Sequence, residues 1–515
     1  MLFHVMRYCC NEYLGRPAEV HRPVSRFAAL AAPLLAGSCV VGPNFTPPPA
    51  PTVSHYTQTP MPQTTAATAG VPGGGAQHFV SSAQIPADWW TLFHSRELNE
   101  LVEAALSHNP DLKAAQAALL VAHENARAQR GAYAPQVGAG ASITRERDPS
   151  ATLAPVPANN SFAYTLVTPQ LSVSYVPDVF GLNKRTVEAT AAQEQATRYQ
   201  MVAVDITLSA NVAEAAITEA SLEDQIDATK ALIGTNREIL SLLQYQQSKG
   251  YLGGGDVAAQ QAQLAQLEAS LPPLIKQRDQ QNDLIVVLTG RYPGETRPGK
   301  FTLADLTLPS NLPLSLPAAL VEQRPDVLQA EANLHAASAG IGIARANRLP
   351  NISLTGNAGS NALAIGGIFG PGTGFWNIGG ALLAPMFDGG TKLHQERAAR
   401  ATYTQTAEQY RSTVLTAFQN VADTLVAIDQ DAETLKATTA AAAAAKTSLD
   451  LARLQYKDGY AAYLAVLNAD QAYQQARLSQ IQAEADRFTD TVALFQALGG
   501  GWWHQPELVS QANAR

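Results

Sequence analysis

The sequence predicts a mainly α-helical protein with a few transmembrane β-strands. The expected fold is a trimeric twelve-stranded β-barrel, four strands per subunit, continued by a long α-helical barrel and built from two internal repeats. Three observations lead there. Two proline-free helical patterns of unusual length run from about Leu182 to Ser248 and from about 391 to 456. Each half of the chain also carries two stretches of weak, glycine-rich alternation. Finally, the halves align: Pro110-Asp111-Leu112 matches Pro325-Asp326-Val327 at an offset of 215 residues. The same offset pairs Ala115 with Ala330, Leu119 with Leu334, Arg130 with Arg345 and Pro135 with Pro350.

Composition narrows the class. The 515 residues include 35 Lys or Arg and 43 Asp or Glu, a formal charge of −8. A nucleic-acid binder normally presents a basic face, so no nucleic-acid partner is expected. Charged residues make only 15% of the chain, which disfavours a disordered, solvated polypeptide. No run of about 18 apolar residues free of charges and breakers stands out, so no helical membrane span is expected.

At the N-terminus, Arg22 and Arg26 precede the short apolar run Phe27 to Leu35, and Gly37 and Ser38 then stand before Cys39. This is the shape of a secretory signal over 1–38. A cysteine after small residues resembles a bacterial lipobox, in which it becomes the acylated first residue of the mature chain. Ala36 stands where that pattern prefers Leu. The alternative is a buried cysteine after an apolar helix. Cys9, Cys10 and Cys39 are the only cysteines, so disulfides and cysteine-based zinc sites are excluded beyond residue 39. Residues 1–20 are long for an n-region, which puts the expected translation start at Val20 or Val24.

Residues 39–86 are rich in Pro, Gly, Thr and Ala and read as a lipidated, extended tether without a core of its own. The first repeat is assigned to 87–310. It opens on Trp89-Trp90 and a helix with Leu98, Leu101, Val102 and Ala105 at helical spacing. After Pro135 the period switches to alternation, with Val137, Ala139, Ala141 and Ile143 on one side. After Pro350, Ile352, Leu354, Gly356 and Ala358 do the same. Second strand-like stretches follow at 162–177 and 375–387. Phe180-Gly181, and Phe387 before Gly389-Gly390, introduce the long helices, which break at Gly250 and Gly459. Shorter helices resume, the first expected to be interrupted at Pro272-Pro273. The second repeat is assigned to 311–500 and the tail to 501–515.

Magnitudes fix the architecture. About 65 residues at 1.5 Å per residue give a helix of roughly 100 Å, which must pack laterally against neighbours. Its small stripe (Ala189, Ala192, Ala196, Ala203, Ala210) suits a wall of helices. Strands of roughly 10–15 residues can cross an outer membrane when tilted. Four strands cannot close a barrel, whereas three copies supply twelve. A soluble antiparallel sheet is the alternative.

These residues carry a family resemblance. Cys39-Val40-Val41-Gly42-Pro43, Trp89-Trp90, Asn109 with Asp111-Leu112, RPDVLQAEANL from Arg324, PMFDGG from Pro385, YKDGYAAYLAVLNADQAY from Tyr456 and LFQALGGGWW from Leu494 occur in order. The chain resembles the outer-membrane factors of tripartite efflux systems, the TolC- and OprM-like proteins, most closely the NodT-type lipoproteins. The resemblance covers nearly the whole mature chain. It implies a lipid-anchored homotrimer spanning the outer membrane and reaching into the periplasm. Its partners would be outer-membrane lipid, a periplasmic adaptor and an inner-membrane RND-type transporter. The implied function is passive conduction of drugs or other small toxic compounds to the exterior, with no enzyme activity and no cofactor. The Pro-rich segment near 291–317 would belong to an equatorial girdle.

The resemblance also implies a periplasmic gate. Leu464 matches its hydrophobic ring. Asn468 stands where an acidic ring is expected, so the ring is neutral here and a lower cation preference follows. Asp470, two residues on, faces another way. Tyr456 matches a tyrosine that bonds to the neighbouring coil, and Asp256 an aspartate that locks the closed tip. The arginine that assists that lock falls on Ala461. Ordinary helix packing is the alternative for Leu464, Asn468 and Tyr456, and a helix N-cap is the alternative for Asp256.

No P-loop, HExxH or Gly-x-Ser-x-Gly pattern occurs, and no metal site is expected. Two rivals remain: a type I protein-secretion duct and a non-channel envelope lipoprotein. The lipobox and the LGGGW ending favour drug efflux over the first. The paired strands of each half argue against the second, because a coiled-coil spacer needs none.

Overall fold

The computed structural model describes residues 40–81, 83–151, 153, 155–156, 160–296, 301–315, 317–505 and 508. The signal segment 1–38, Cys39 and most of the tail lie outside the described residues. In chain order the elements are β1 (His78–Ser81), α1 (Arg96–His108), α2 (Pro110–Arg130), β2 (Gln136–Arg147), β3 (Ala163–Tyr175), α3 (Leu182–Ser248) and α4 (Gly254–Leu288). Then follow β4 (Asn311–Leu314), α5 (Pro317–Gln323), α6 (Pro325–Ala346), β5 (Asn351–Ser360), β6 (Gly374–Leu383), α7 (Thr391–Lys457) and α8 (Tyr463–Ala497). Contacts divide the chain into two units. One contains Pro135–Lys184 and Leu349–Pro385, and the other Gly42–Ala134, Arg185–Arg348 and Met386–Arg515.

The first unit is an antiparallel sheet in the order β2-β3-β5-β6. Register aligns Val137 with Val173, Ala139 with Leu171, Leu171 with Ala358 and Ala358 with Trp376. Residues directly opposite share a face, so one face is apolar over most of its length, up to Arg145, Arg147 and Thr165 at the loop end of β2 and β3. Val137, Leu171, Trp376, Ile378 and Leu382 all stand exposed on it. The other face carries Ser142, Ser172, Thr355, Asn357 and Asn377, and Asn357 Nδ2 donates to Asn377 Oδ1 at 2.9 Å. A soluble sheet would bury its apolar face; among the described residues of this unit nothing covers it. Among the described residues, β2 and β6 each pair on one edge only.

The second unit repeats one helical hairpin. α3 and α7 have 67 residues each, and α4 and α8 have 35 each. Each pair of equivalents is displaced by 209 residues, six fewer than the offset between α2 and α6. The difference is taken up between Pro135 and Leu182, whose counterpart, Pro350 to Thr391, is shorter. Both long helices end in the same cap. Tyr251 N donates to Gln246 O (3.0 Å) and Gly250 N to Gln247 O (2.9 Å). Tyr460 N donates to Gln455 O (2.8 Å) and Gly459 N to Tyr456 O (3.1 Å). This bonding needs a left-handed residue, and Gly250 and Gly459 supply it at φ +77° and +80°.

The repeat motifs close the far ends of the hairpins. Asn109 caps α2 through its Oδ1, which accepts from Asp111 N and Leu112 N, while its Nδ2 donates to Leu288 O at 2.9 Å. Arg324 acts equivalently: its Nη1 donates to Ala497 O at 2.8 Å and its other nitrogens grip Asp326. Trp502 Nε1 donates to Gln323 O at 2.7 Å. The two strongest sequence motifs, RPDV and LGGGW, therefore meet. Beside them lies the main core, where Trp89 stacks on Phe495 at 5.3 Å and Leu98, Leu101, Val102 and Ala105 are fully buried.

Two expectations are corrected. The segment expected as a bare tether is packed over its later part. β1 pairs in parallel with β4, and Gln77 is buried between α8 and the chain before β4, bonding Thr491 Oγ1 and Pro309 O. Buried Arg487 donates to Gln77 Oε1 (2.9 Å) and Gly75 O (3.0 Å), so polar bonds replace the missing apolar surface. α4 also continues through Pro272 and Pro273. Each proline removes one backbone donor, but Leu264 and Leu267 on one side and Ile285 and Val286 on the other are buried and hold the helix on course. Among the described residues, α3 contains one window that by length and composition alone could cross a membrane. Its mean hydropathy is 1.3, but 61% of it is buried within the chain, as in a core helix.

Candidate functional site

The tips of the two hairpins bring the predicted gate residues into one region. Leu464 and Asn468 lie one turn apart at the start of α8, both exposed, with Leu464 at 63%. Gln471, Ala472 and Gln475 continue the same face, which is uncharged. The opposite face holds Tyr463, Val466, Leu467 and Ala469, buried against Leu243, Val257 and Leu449. The four-residue spacing thus separates an exposed stripe from a packed one.

Asp256 lies in the first turn of α4, whose N-cap is Gly253. It is therefore not the N-cap itself, although a carboxylate there still favours the helix N-terminus. Tyr456 sits at the end of α7 with its ring edge-on to Tyr463 at 5.1 Å. Partial burial, and secondarily the Asp256 carboxylate, push its hydroxyl above the ordinary tyrosine range. Asp256 and Tyr456 are thus electrostatic neighbours, but no described hydrogen bond joins them.

Apart from Asp470, the residues whose bonds tie the tip together were not singled out by the sequence. Arg453 Nη2 donates to Asp470 Oδ1 at 3.2 Å, and Asn236 Nδ2 to Asp470 Oδ2 at 3.1 Å. Gln260 Nε2 donates to Asn236 Oδ1 at 2.8 Å, and Tyr463 OH to Gln260 Oε1 at 2.6 Å. This chain crosses α7, α8, α3 and α4 in turn. Asp470 is 2% and Gln260 0% exposed. Burial pushes the Tyr463 hydroxyl well above its usual range, so it remains a donor. The expectation that Asp470 faces away from Asn468 is correct in direction, but it is the hub of the network. One signal was available: Asn236 is an uncharged polar residue interrupting a stripe carried by Ile233, Leu240 and Leu243. Beside the network, a groove of about 570 Å³ is lined by Leu242, Leu243, Tyr251, Leu252 and Arg453. No group of three or more metal-ligating side chains occurs among the described residues.

Comparison with known proteins agrees with this arrangement. The family described as "Outer membrane efflux protein" matches residues 101–291 and 316–500. Outer membrane protein OprJ of Pseudomonas aeruginosa is 28% identical over 511 residues, covering 96% of this chain and 100% of OprJ. Toluene efflux pump outer membrane protein TtgC of Pseudomonas putida is 30% identical over 493 residues, covering 93% and 95%. The open-state MtrE outer membrane channel of Neisseria gonorrhoeae superposes with a TM-score of 0.75 at 25% identity, covering 90% of this chain and 98% of MtrE. With its sheet, its helical hairpins and its relatives in agreement, this chain is an outer-membrane channel component of an efflux pump and belongs to the outer membrane efflux protein family.

Proposed function

We propose that three copies of this chain form a passive duct. It would carry small toxic compounds from an inner-membrane RND-type transporter and a periplasmic adaptor across the outer membrane. The observation that carries the trimer is the four-stranded sheet, with two long half-paired edges and an uncovered apolar face. Unpaired edges are costly in lipid, where water cannot satisfy the backbone. Twelve residues at about 3.3 Å span roughly 40 Å, or about 30 Å at a 40° tilt, which matches the hydrocarbon core.

Leu464 and Asn468 are assigned to the constriction on their shared exposed face, and Asp256 and Tyr456 to its closure on their proximity. The groove beside Tyr456 offers an adaptor tip an apolar seat. Acylation at Cys39 would anchor each copy. The test is negative-stain imaging and detergent-corrected mass of protein from outer membranes. A three-fold particle of roughly 140 Å, from about 100 Å of helix and a barrel of about 40 Å, is expected. A compact monomer released without detergent would sink the reading.

A further inference from the structure

Positive charge is concentrated in the chain segments that link the strands to the helices. The ten residues flanking each of β2, β3, β5 and β6 on its helical side carry seven Lys or Arg and two Asp. The strand-to-strand loops at 148–162 and 361–373 carry no Lys or Arg at all. In a chain of net charge −8, this marks the strand–helix linking segments as basic, although the loop end of β2 also holds Arg145 and Arg147.

One cluster there is built rather than merely basic. The Glu396 carboxylate, 6% exposed, accepts from Arg345 Nε at 3.1 Å and from Arg400 Nε and Nη2 at 3.3 and 2.8 Å. Its other oxygen accepts from Arg348 Nη1. Three guanidiniums around one carboxylate leave two positive charges in excess. The side chains of Arg345 and Arg400 are 37% and 54% exposed, and neither terminal nitrogen of Arg345 has a described partner. Both arginines line a cavity of about 370 Å³ with Ser338, Thr404, Phe45 and Ile341, and no carboxylate lines it. Arg348 stands three residues before Asn351, the first residue of β5.

We propose that Arg345 and Arg400, held by Glu396 and Arg348, bind the phosphate of an anionic phospholipid in the periplasmic leaflet of the outer membrane. Guanidinium forks match phosphate oxygens, and the apolar cavity wall suits the glycerol and first acyl carbons. The assignment rests on the strands crossing that membrane.

Native mass spectrometry of the full-length protein, purified from outer membranes, tests this with phosphatidylglycerol, phosphatidylcholine and inorganic phosphate. Phosphatidylglycerol is expected to bind in preference to phosphatidylcholine and to resist millimolar inorganic phosphate. Arg345→Gln and Arg400→Gln should each weaken it about fivefold, the effect of one basic residue at an anionic surface, and Arg400→Lys should restore part of it. Glu396→Gln keeps all three guanidiniums and removes the competing carboxylate, so it should strengthen lipid binding; unchanged or weaker binding would count against the site. Equal affinity for the two lipids, unchanged binding in the arginine variants, or displacement by inorganic phosphate overturns the lipid site. Absence of the wild-type protein from the outer-membrane fraction would instead overturn the channel reading together with it.

Discussion

At the scale of single residues, charge and burial separate roles that sequence spacing leaves together. Asn468 and Asp470 are two positions apart, yet one is exposed and the other is the buried hub of the tip. Asn468→Asp adds a carboxylate to an uncharged face, so single-channel recordings should show increased cation selectivity; an unchanged reversal potential removes Asn468 from the pore. Asp470→Ala strips Arg453, Asn236 and Gln474 of a shared acceptor, though Asn236 Nδ2 keeps Leu232 O. Because Arg453 is about one-third exposed, the expected loss is about 1–3 kcal/mol, read as a lower melting temperature with a larger, noisier conductance. A second buried acid behaves oppositely to an ordinary paired carboxylate. Burial, reinforced by Asp224 and opposed by Arg477 and Gln480, pushes Glu484 up to about 7. The folded state therefore holds a proton that the unfolded chain releases near pH 4.3. Stability from this site is greatest below about pH 4, falls as the pH rises and reaches its floor above about 7. Glu484→Gln should flatten the melting temperature between pH 5 and 7 and raise it at pH 8; an unchanged slope would clear Glu484 of that effect.

At the scale of elements, one hairpin is written twice, and its glycines are not equivalent. A Cβ at Gly250 or Gly459 would meet nothing, so alanine there costs only the left-handed backbone penalty, about 1 kcal/mol. At Gly290 the same Cβ would lie 2.5 Å from His108 O. Gly290→Ala should therefore lower the melting temperature clearly more than Gly250→Ala, and equal losses would contradict the close approach. The helix lengths and break points were legible because proline-free periodicity and turn glycines are local signals. Passage through Pro272-Pro273 was not, because contacts from Leu264 and Ile285 override a local breaker. The packed strap before β1 was missed for the same reason: its burial depends on Arg487, more than 400 residues away.

At the scale of the whole molecule, the sheet's two faces set what each can tolerate. Ile378 belongs to the apolar face and Asn377 to the polar one. Ile378→Arg should cost about 2–4 kcal/mol in a lipid-facing barrel and reduce assembled protein in the outer membrane. Asn377→Arg should assemble normally and alter conductance. Equal assembly of both variants would deny the lipid-facing assignment. The basic linking segments and the uncharged stripe of Leu464 and Asn468 extend the same logic, since the proposals set each against a different medium, headgroup or pore water.

By itself the sequence determined the repeat, the two 67-residue helices, the four strands and the family, because periodicity, glycine punctuation and motif order are carried by neighbouring residues. It also placed Leu464 and Asn468 on one face, since a helix puts residues four apart together. Only the tertiary structure decided which polar groups hold the tip, that Asn109 and Arg324 close equivalent hairpins, and that Glu396 gathers three arginines. Those contacts join residues as much as 234 positions apart, and their energies depend on burial and geometry that no local pattern encodes.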